Sequence, residues 1–124
     1  MNRKARSGNG KVETLQPEAL ELVAARFRIL AEPLRLRILQ QLHEGEKNVS
    51  ELTAILQTTQ PNVSKHLRLL QDAGFVGRRQ TGNTVYCFIA DSSVFDLCNL
   101  VCTGLEARLA SHAELLRSPG RRGR

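Results

Sequence analysis

The sequence predicts a mainly α domain with one small β-hairpin, in the order α-α-α-α-β-β-α. Three observations predict it. Apolar residues recur at threes and fours along most of the chain, the period of helices with one buried face. Two such stretches, near 49–57 and 59–74, are separated only by Thr58 and Thr59, the tight junction of a helix-turn-helix. After Gly74 the period falls from about 3.6 residues to about 2. The two short runs there, 75–80 and 84–90, flank Thr81-Gly82-Asn83, which has hairpin turn chemistry.

The elements follow in order. Residues 1–13 are polar and basic and predict a mobile arm; 118–124 predict a similar tail, leaving 14–117 as the folded domain. Pro17 suits the first turn of a helix over about 17–30, whose stripe is Leu20, Val23, Ala24 and Phe27, closed by Ile29 and Leu30. A second helix spans about 32–43. Leu34, Ile38, Leu39 and Leu42 point inward, Arg35, Arg37, Gln40 and Gln41 point out, and Gly45 ends it. In the third, Asn48 and Glu51 have the spacing of a capping box, and Leu52, Ile55 and Leu56 face in. The fourth is marked at both ends: Thr59 as N-cap, Pro61 in the first turn, Gly74 for the left-handed residue past the end. Its stripe is Val63, Leu67 and Leu70. In the second hairpin strand Val85, Cys87 and Ile89 point one way, Tyr86 and Phe88 the other. The last helix runs from about Ser92 to Leu116. Its first half is apolar nearly all round, with Val94, Phe95, Leu97, Leu100, Val101 and Leu105. A small domain cannot bury such a helix alone, so it predicts contact with another subunit.

Composition narrows the function. The chain has 124 residues and a formal charge of +6, with a pI near 9.9. That balance points to a polyanionic partner, but the excess lies in the head and tail. Residues 12–116 carry ten basic side chains against twelve acids. Local charge is more telling: Lys65, Arg68, Arg78 and Arg79 against Asp72 leave 65–79 net positive. Aromatic residues are 4% of the chain, too few for base-stacking platforms on single strands. Three cysteines, no signal-peptide core and no long apolar run predict a cytoplasmic chain with reduced thiols and no membrane partner. No Gly-rich phosphate loop, nucleophile elbow or paired carboxylates appear, so no enzyme is predicted.

The fourth helix opposes its apolar stripe with Gln60, Asn62, Ser64, Lys65 and Arg68, a face of donors, acceptors and cations suited to the major groove of double-stranded DNA. Thr59 flanks that face as a DNA-contact candidate, and His66 either supports a phosphate or packs at the helix edge. A hairpin after such a helix is a wing, and Arg78, Arg79 and Asn83 would reach phosphates or a minor groove from it. The plain alternatives are a solvated helix, arginines that protect a sheet edge, and a winged helix used only for protein contacts.

These residues carry a resemblance. Leu30 to Leu39 (Leu-Ala-Glu-Pro-Leu-Arg-Leu-Arg-Ile-Leu), Val49 to Leu52, Gln60 to Leu67 and Gly82 to Tyr86 resemble the ArsR/SmtB family of winged-helix transcriptional repressors, over roughly residues 20–110. The resemblance implies a homodimer through the first and last helices, with Leu20, Val23, Phe27, Val94, Leu97, Val101 and Leu105 as interface candidates. It also implies an inverted-repeat operator and release on an inducer, with no prosthetic group. Two family patterns are missing. Where arsenic-sensing members place Cys-x-Cys, this chain reads Asn48-Val49-Ser50. Where zinc-sensing members place Asp, His and Glu along the last helix, it offers His112, with Ser93 near the start.

What remains is Cys98 and Cys102, at i and i+4 on the last helix, where Cβ atoms lie about 5–6 Å apart. Two thiolates so placed favour a thiophilic centre: arsenite or antimonite first, then cadmium, copper(I) or zinc. Cys87 is a candidate third ligand, in one subunit or across two. Alternatively the thiols sense oxidants or persulfides, or all three are small core residues.

Overall fold

A computed structural model describes residues 14–117. The expected arm over 1–13 and the tail over 118–124 lie outside the described residues. The chain divides after Ala90 into two compact units. The first holds four helices and a sheet; the second holds the long last helix.

In the first unit, α1 (Pro17–Leu30) begins on Pro17 and buries only Leu30. Its expected stripe is not covered: Leu20 is exposed and Phe27 is 51% exposed. α2 (Pro33–Glu44) starts where Glu32 Oε1 accepts from the backbone N–H of Leu34 at 2.8 Å and of Arg35 at 3.3 Å. It buries Ile38, Leu39 and Leu42. Arg35, expected to face out, instead turns inward toward α1 and α4, as detailed below.

β1 (Lys47–Asn48) leads directly into α3 (Val49–Leu56). The capping box is closed in both directions: Glu51 N–H donates to Asn48 Oδ1 and Asn48 N–H to Glu51 Oε1, each at 2.8 Å. Leu52 and Leu56 are buried but Ile55 is exposed, because a helix this short seats one narrow face and an i, i+4 pair already fills it. Replacing Asn48 by alanine is expected to cost about 0.5–2 kcal/mol. In urea unfolding the midpoint should fall with an unchanged slope; a changed slope would point to a different denatured state instead.

α4 (Gln60–Asp72) buries Val63, Leu67 and Leu70. Gly74 takes φ +86°, a left-handed value open to glycine at low cost, which lets the chain turn sharply out of the helix. β2 (Val76–Thr81) and β3 (Thr84–Ile89) then pair antiparallel, from Val76 opposite Ile89 to Thr81 opposite Thr84. The Phe88 ring lies over Gly77; a Cβ there would come within 2.5 Å of Phe88 Cζ.

The sheet has three strands, in the order β1-β3-β2, not the two expected. Lys47 pairs with Cys87 and Asn48 with Tyr86. Two residues are too few for an alternation to register in sequence, yet they make β3 the central strand. Ile38, Leu39, Leu52, Val63, Leu70 and Cys87, each no more than 2% exposed, are the heart of the core. The unit is a winged helix-turn-helix: α3 and α4 meet at Thr58-Thr59, and the β2–β3 hairpin is the wing.

The second unit is α5 (Ser93–Leu116), a single unbroken helix. Asp91 Oδ1 accepts from Ser93 N–H and Oγ at 3.0 and 2.6 Å at its start.

Candidate functional site

The α4 surface is set from its first turn. Thr59 Oγ1 accepts from Asn62 N–H at 3.3 Å, and Asn62 Nδ2 donates to Thr58 Oγ1 at 3.0 Å. Asn62 is thus half-buried and braces the turn. The exposed face carries Gln60, Ser64, Lys65 and Arg68. Pro61, Ser64, Lys65, Arg68 and Leu69 line a shallow open depression along it. Because Val63, Leu67 and Leu70 pin the opposite side, this face is held outward by the core.

His66 does not belong to that face. It is 6% exposed, and its Nδ1 accepts from Arg35 Nε at 3.0 Å. It sits three residues after Val63 and four before Leu70, so the helical period carries it inward. We therefore remove it from the expected phosphate contacts.

On the wing, Arg78, Arg79 and Asn83 are exposed. Arg79 is engaged within the protein. Its Nε and Nη2 both donate to Glu46 Oε1, its Nη1 donates to Thr81 Oγ1 at 2.6 Å, and the guanidinium lies 5.4 Å from the Tyr86 ring centroid. Bonding to Glu46 raises the Arg79 pKa further above its ordinary value. Neither Glu46 nor Arg35 stands out in the sequence, since their partners lie 33 and 31 residues away.

The cysteines occupy different settings. Cys87, on β3, is 1% exposed. Burial pushes its thiol pKa up, against smaller opposing effects from the Arg78 charge and from Gln71 Nε2, which donates to Sγ at 3.8 Å. A thiol so placed packs as a small apolar residue in the core. Cys98 is half-buried and Cys102 exposed, both within unbroken α5. Cys102 Sγ lies 3.9 Å from Glu106 Oε2, one further turn along. Among the described residues no group of three or more His, Cys, Asp and Glu side chains converges on one point.

The apolar surface of α5 is also uncovered. Val101 and Leu105 are 61% and 55% exposed, and Leu100 and Leu109 are exposed beside them. Val94 differs, being 2% exposed. Leu97 and Val23 are half-buried.

Three comparisons with known proteins bear on this geometry. The family model described as "Bacterial regulatory protein, arsR family" matches residues 32–77, which run from the N-cap of α2 to the start of the wing. Over 101 residues the chain is 34% identical to the "Transcriptional repressor SmtB homolog" of Synechocystis sp., covering 77% of this chain and 76% of that protein. Over 74 residues it is 39% identical to the "Probable mercury resistance operon repressor" of Streptomyces lividans, covering 60% of this chain and 59% of that one. Among solved structures it resembles the homodimeric winged helix-turn-helix DNA-binding domain Mb0332 from Mycobacterium bovis. The TM-score is 0.66 at 29% identity, covering 87% of this chain and 95% of the other.

Proposed function

This chain belongs to the ArsR family of bacterial regulatory proteins, and on that premise we propose a transcriptional repressor that binds a DNA operator as a homodimer. In this reading it releases the operator when a thiophilic metalloid or metal binds Cys98 and Cys102. The observation that carries the DNA-binding part is the α4 face: Gln60, Ser64, Lys65 and Arg68 turned outward by a fully buried stripe, with a wing following. The major groove admits one helix, and amide and hydroxyl side chains read base edges there.

The homodimer is supported by the uncovered apolar side chains of α1 and α5 and by the homodimeric state named for the M. bovis domain. The inducer site is supported by two thiols one helical turn apart, one of them exposed. Arsenite and antimonite come first because they prefer thiolates; cadmium, copper(I) and zinc follow. The mercury repressor's name is in keeping with a soft ion. A direct disulfide fits less well, since it wants Cβ atoms about 3.8 Å apart, whereas an unbroken helix holds an i, i+4 pair at about 5–6 Å.

The test is a binding isotherm on duplex DNA from the region upstream of its own gene. Gln60→Ala is expected to alter sequence preference, costing about 1–3 kcal/mol for each base edge that is no longer read. Lys65→Ala should weaken all sequences alike and lower the slope of log affinity against log salt by about one. Arg79→Ala should lower that slope by less, because Glu46 already neutralises the guanidinium. If Lys65→Ala and Gln60→Ala both leave binding untouched, α4 is not the reading element.

A further inference from the structure

α1 and its C-terminal end reach α4 at two separate points, each through an arginine. At the first, Arg26 on α1 donates from Nη1 to the carbonyl of Ala73, the C-cap of α4, at 2.8 Å. Its guanidinium also lies 4.3 Å from the centroid of the Phe75 ring. A cation at this end is where the helix dipole favours it.

At the second, Arg35 in the first turn of α2 donates in two directions. Nη1 bonds the Ile29 carbonyl at 3.0 Å and approaches the Arg28 carbonyl at 3.5 Å, both in the last turn of α1. Nε bonds His66 Nδ1, midway along α4, at 3.0 Å. The backbone of Arg35 is itself held by Glu32, which caps α2. The last turn of α1, Arg35 and the buried imidazole therefore form one continuous chain of hydrogen bonds.

We propose that Arg26 and Arg35 are positioning residues for DNA recognition. They clamp α4 to α1 at its C-terminal end and at its middle, and the second clamp closes only while His66 is neutral. The proposal rests on α4 being the DNA-reading helix. α1 also carries the exposed Leu20 and Phe27, so the same two clamps join the proposed subunit interface to the reading element.

The protonation requirement follows from donor and acceptor chemistry. An arginine Nε can only donate, so His66 Nδ1 must accept and its proton sits on Nε2. A protonated imidazole has two donors and no acceptor, and it would meet Arg35 as a like charge. The charged groups facing His66 are Glu32 and Arg35 from α2 and Lys65 from its own helix; α1 contributes the carbonyls that hold Arg35. Burial is the largest influence and holds the imidazole below its ordinary pKa of 6.5; Glu32 works against this, and Arg35 and Lys65 add to it. A depressed histidine pKa makes the clamped state bind fewer protons than the open one. Its stabilisation is complete above 6.5 and is lost as pH falls through the lower, folded-state value.

Operator affinity of the full chain would be followed by fluorescence anisotropy on the upstream duplex, from about pH 8 to about pH 5, the span over which histidine changes charge. Several salt concentrations are used at each pH. The wild type is expected to lose roughly 5–150-fold in affinity on acidification, the usual span of allosteric coupling. The sign is diagnostic, because added positive charge by itself would strengthen binding to DNA.

His66→Asn places an acceptor near the Nδ1 position and cannot take up a proton, so it should keep the neutral-pH affinity and lose the acid limb. Arg26→Ala and Arg35→Ala should each weaken binding roughly 5–150-fold at neutral pH with an unchanged salt slope, since both guanidinia are engaged within the protein. Arg35→Ala should also lose the acid limb, which gives the same reading if His66→Asn does not fold. Affinity that is flat or rises on acidification overturns the proposal, as does an acid limb retained in His66→Asn or a salt slope lowered in Arg35→Ala. A wild type with no salt-dependent binding to duplex DNA at any pH has a different signature. It would sink the DNA-binding reading and this proposal with it.

Discussion

The double variant Cys98→Ser, Cys102→Ser is expected to bind the operator as tightly as the wild type and to hold it at arsenite concentrations that release the wild type. Serine keeps the shape and loses the soft donor. Both side chains lie on α5, whose neighbouring Val101 and Leu105 are the exposed apolar residues proposed for the subunit contact. Arsenite bound between the sulfurs would exchange two As–OH bonds for two As–S bonds, the thiol protons leaving with the hydroxides as water, and would draw the two side chains together. Close-packed contacts around them switch between discrete arrangements and do not deform smoothly. In the proposed dimer a changed contact between subunits would alter the spacing of the two reading helices, and the operator would accept one spacing. A coupling of about 1–3 kcal/mol would weaken DNA binding about 5–150-fold, and operator DNA must weaken inducer binding by the same factor. Cys87→Ser should remain inducible, because Cys87 is a buried core residue. The decisive measurement is an arsenite and antimonite titration of the preformed DNA complex, with peroxide as a parallel arm. Release of the double variant at wild-type concentrations would move the sensing site elsewhere.

Leu105→Glu is the second large effect. The substitution puts a charge on the exposed apolar surface of α5, where a partner helix would have to desolvate it. The variant should sediment as a monomer. A monomer reads one half-site, whereas a two-fold dimer reads two, about 10 base pairs apart or a multiple of that. Operator affinity should therefore drop toward the non-specific level, a loss of about 10³-fold or more. Val101→Glu should behave the same way. Val94→Glu should instead unfold or destabilise the protomer, since Val94 is buried there already. A wild type that sediments as a folded monomer at micromolar concentration would count decisively against the homodimer.

The sequence by itself determined everything that depends on neighbours a few residues apart. The capping box of Asn48 and Glu51, the Thr59 cap, the stripe of Val63, Leu67 and Leu70, the left-handed Gly74 and the hairpin turn all appear in the structure where spacing puts them. Periodicity and turn chemistry are local physics, so they are written in the order of residues. Family resemblance added the expectations of a homodimer, an inverted-repeat operator and release on an inducer.

Tertiary structure alone decided which polar groups meet. Arg35 and His66 each look like surface residues on an amphipathic helix. They become an interior pair only because α2 crosses α4 with those positions facing. Glu46 meets Arg79 on the wing because β1 adds to the sheet at β3 and brings the residue before it toward the wing. Likewise Ile55 and Val94 exchange their expected places, outward and inward, because burial depends on what lies opposite a side chain. Hydrogen bonds and ion pairs between residues more than thirty positions apart leave no period and no spacing in a single sequence. They exist only once the core has fixed the helices, and they are where this protein departs from what its sequence announces.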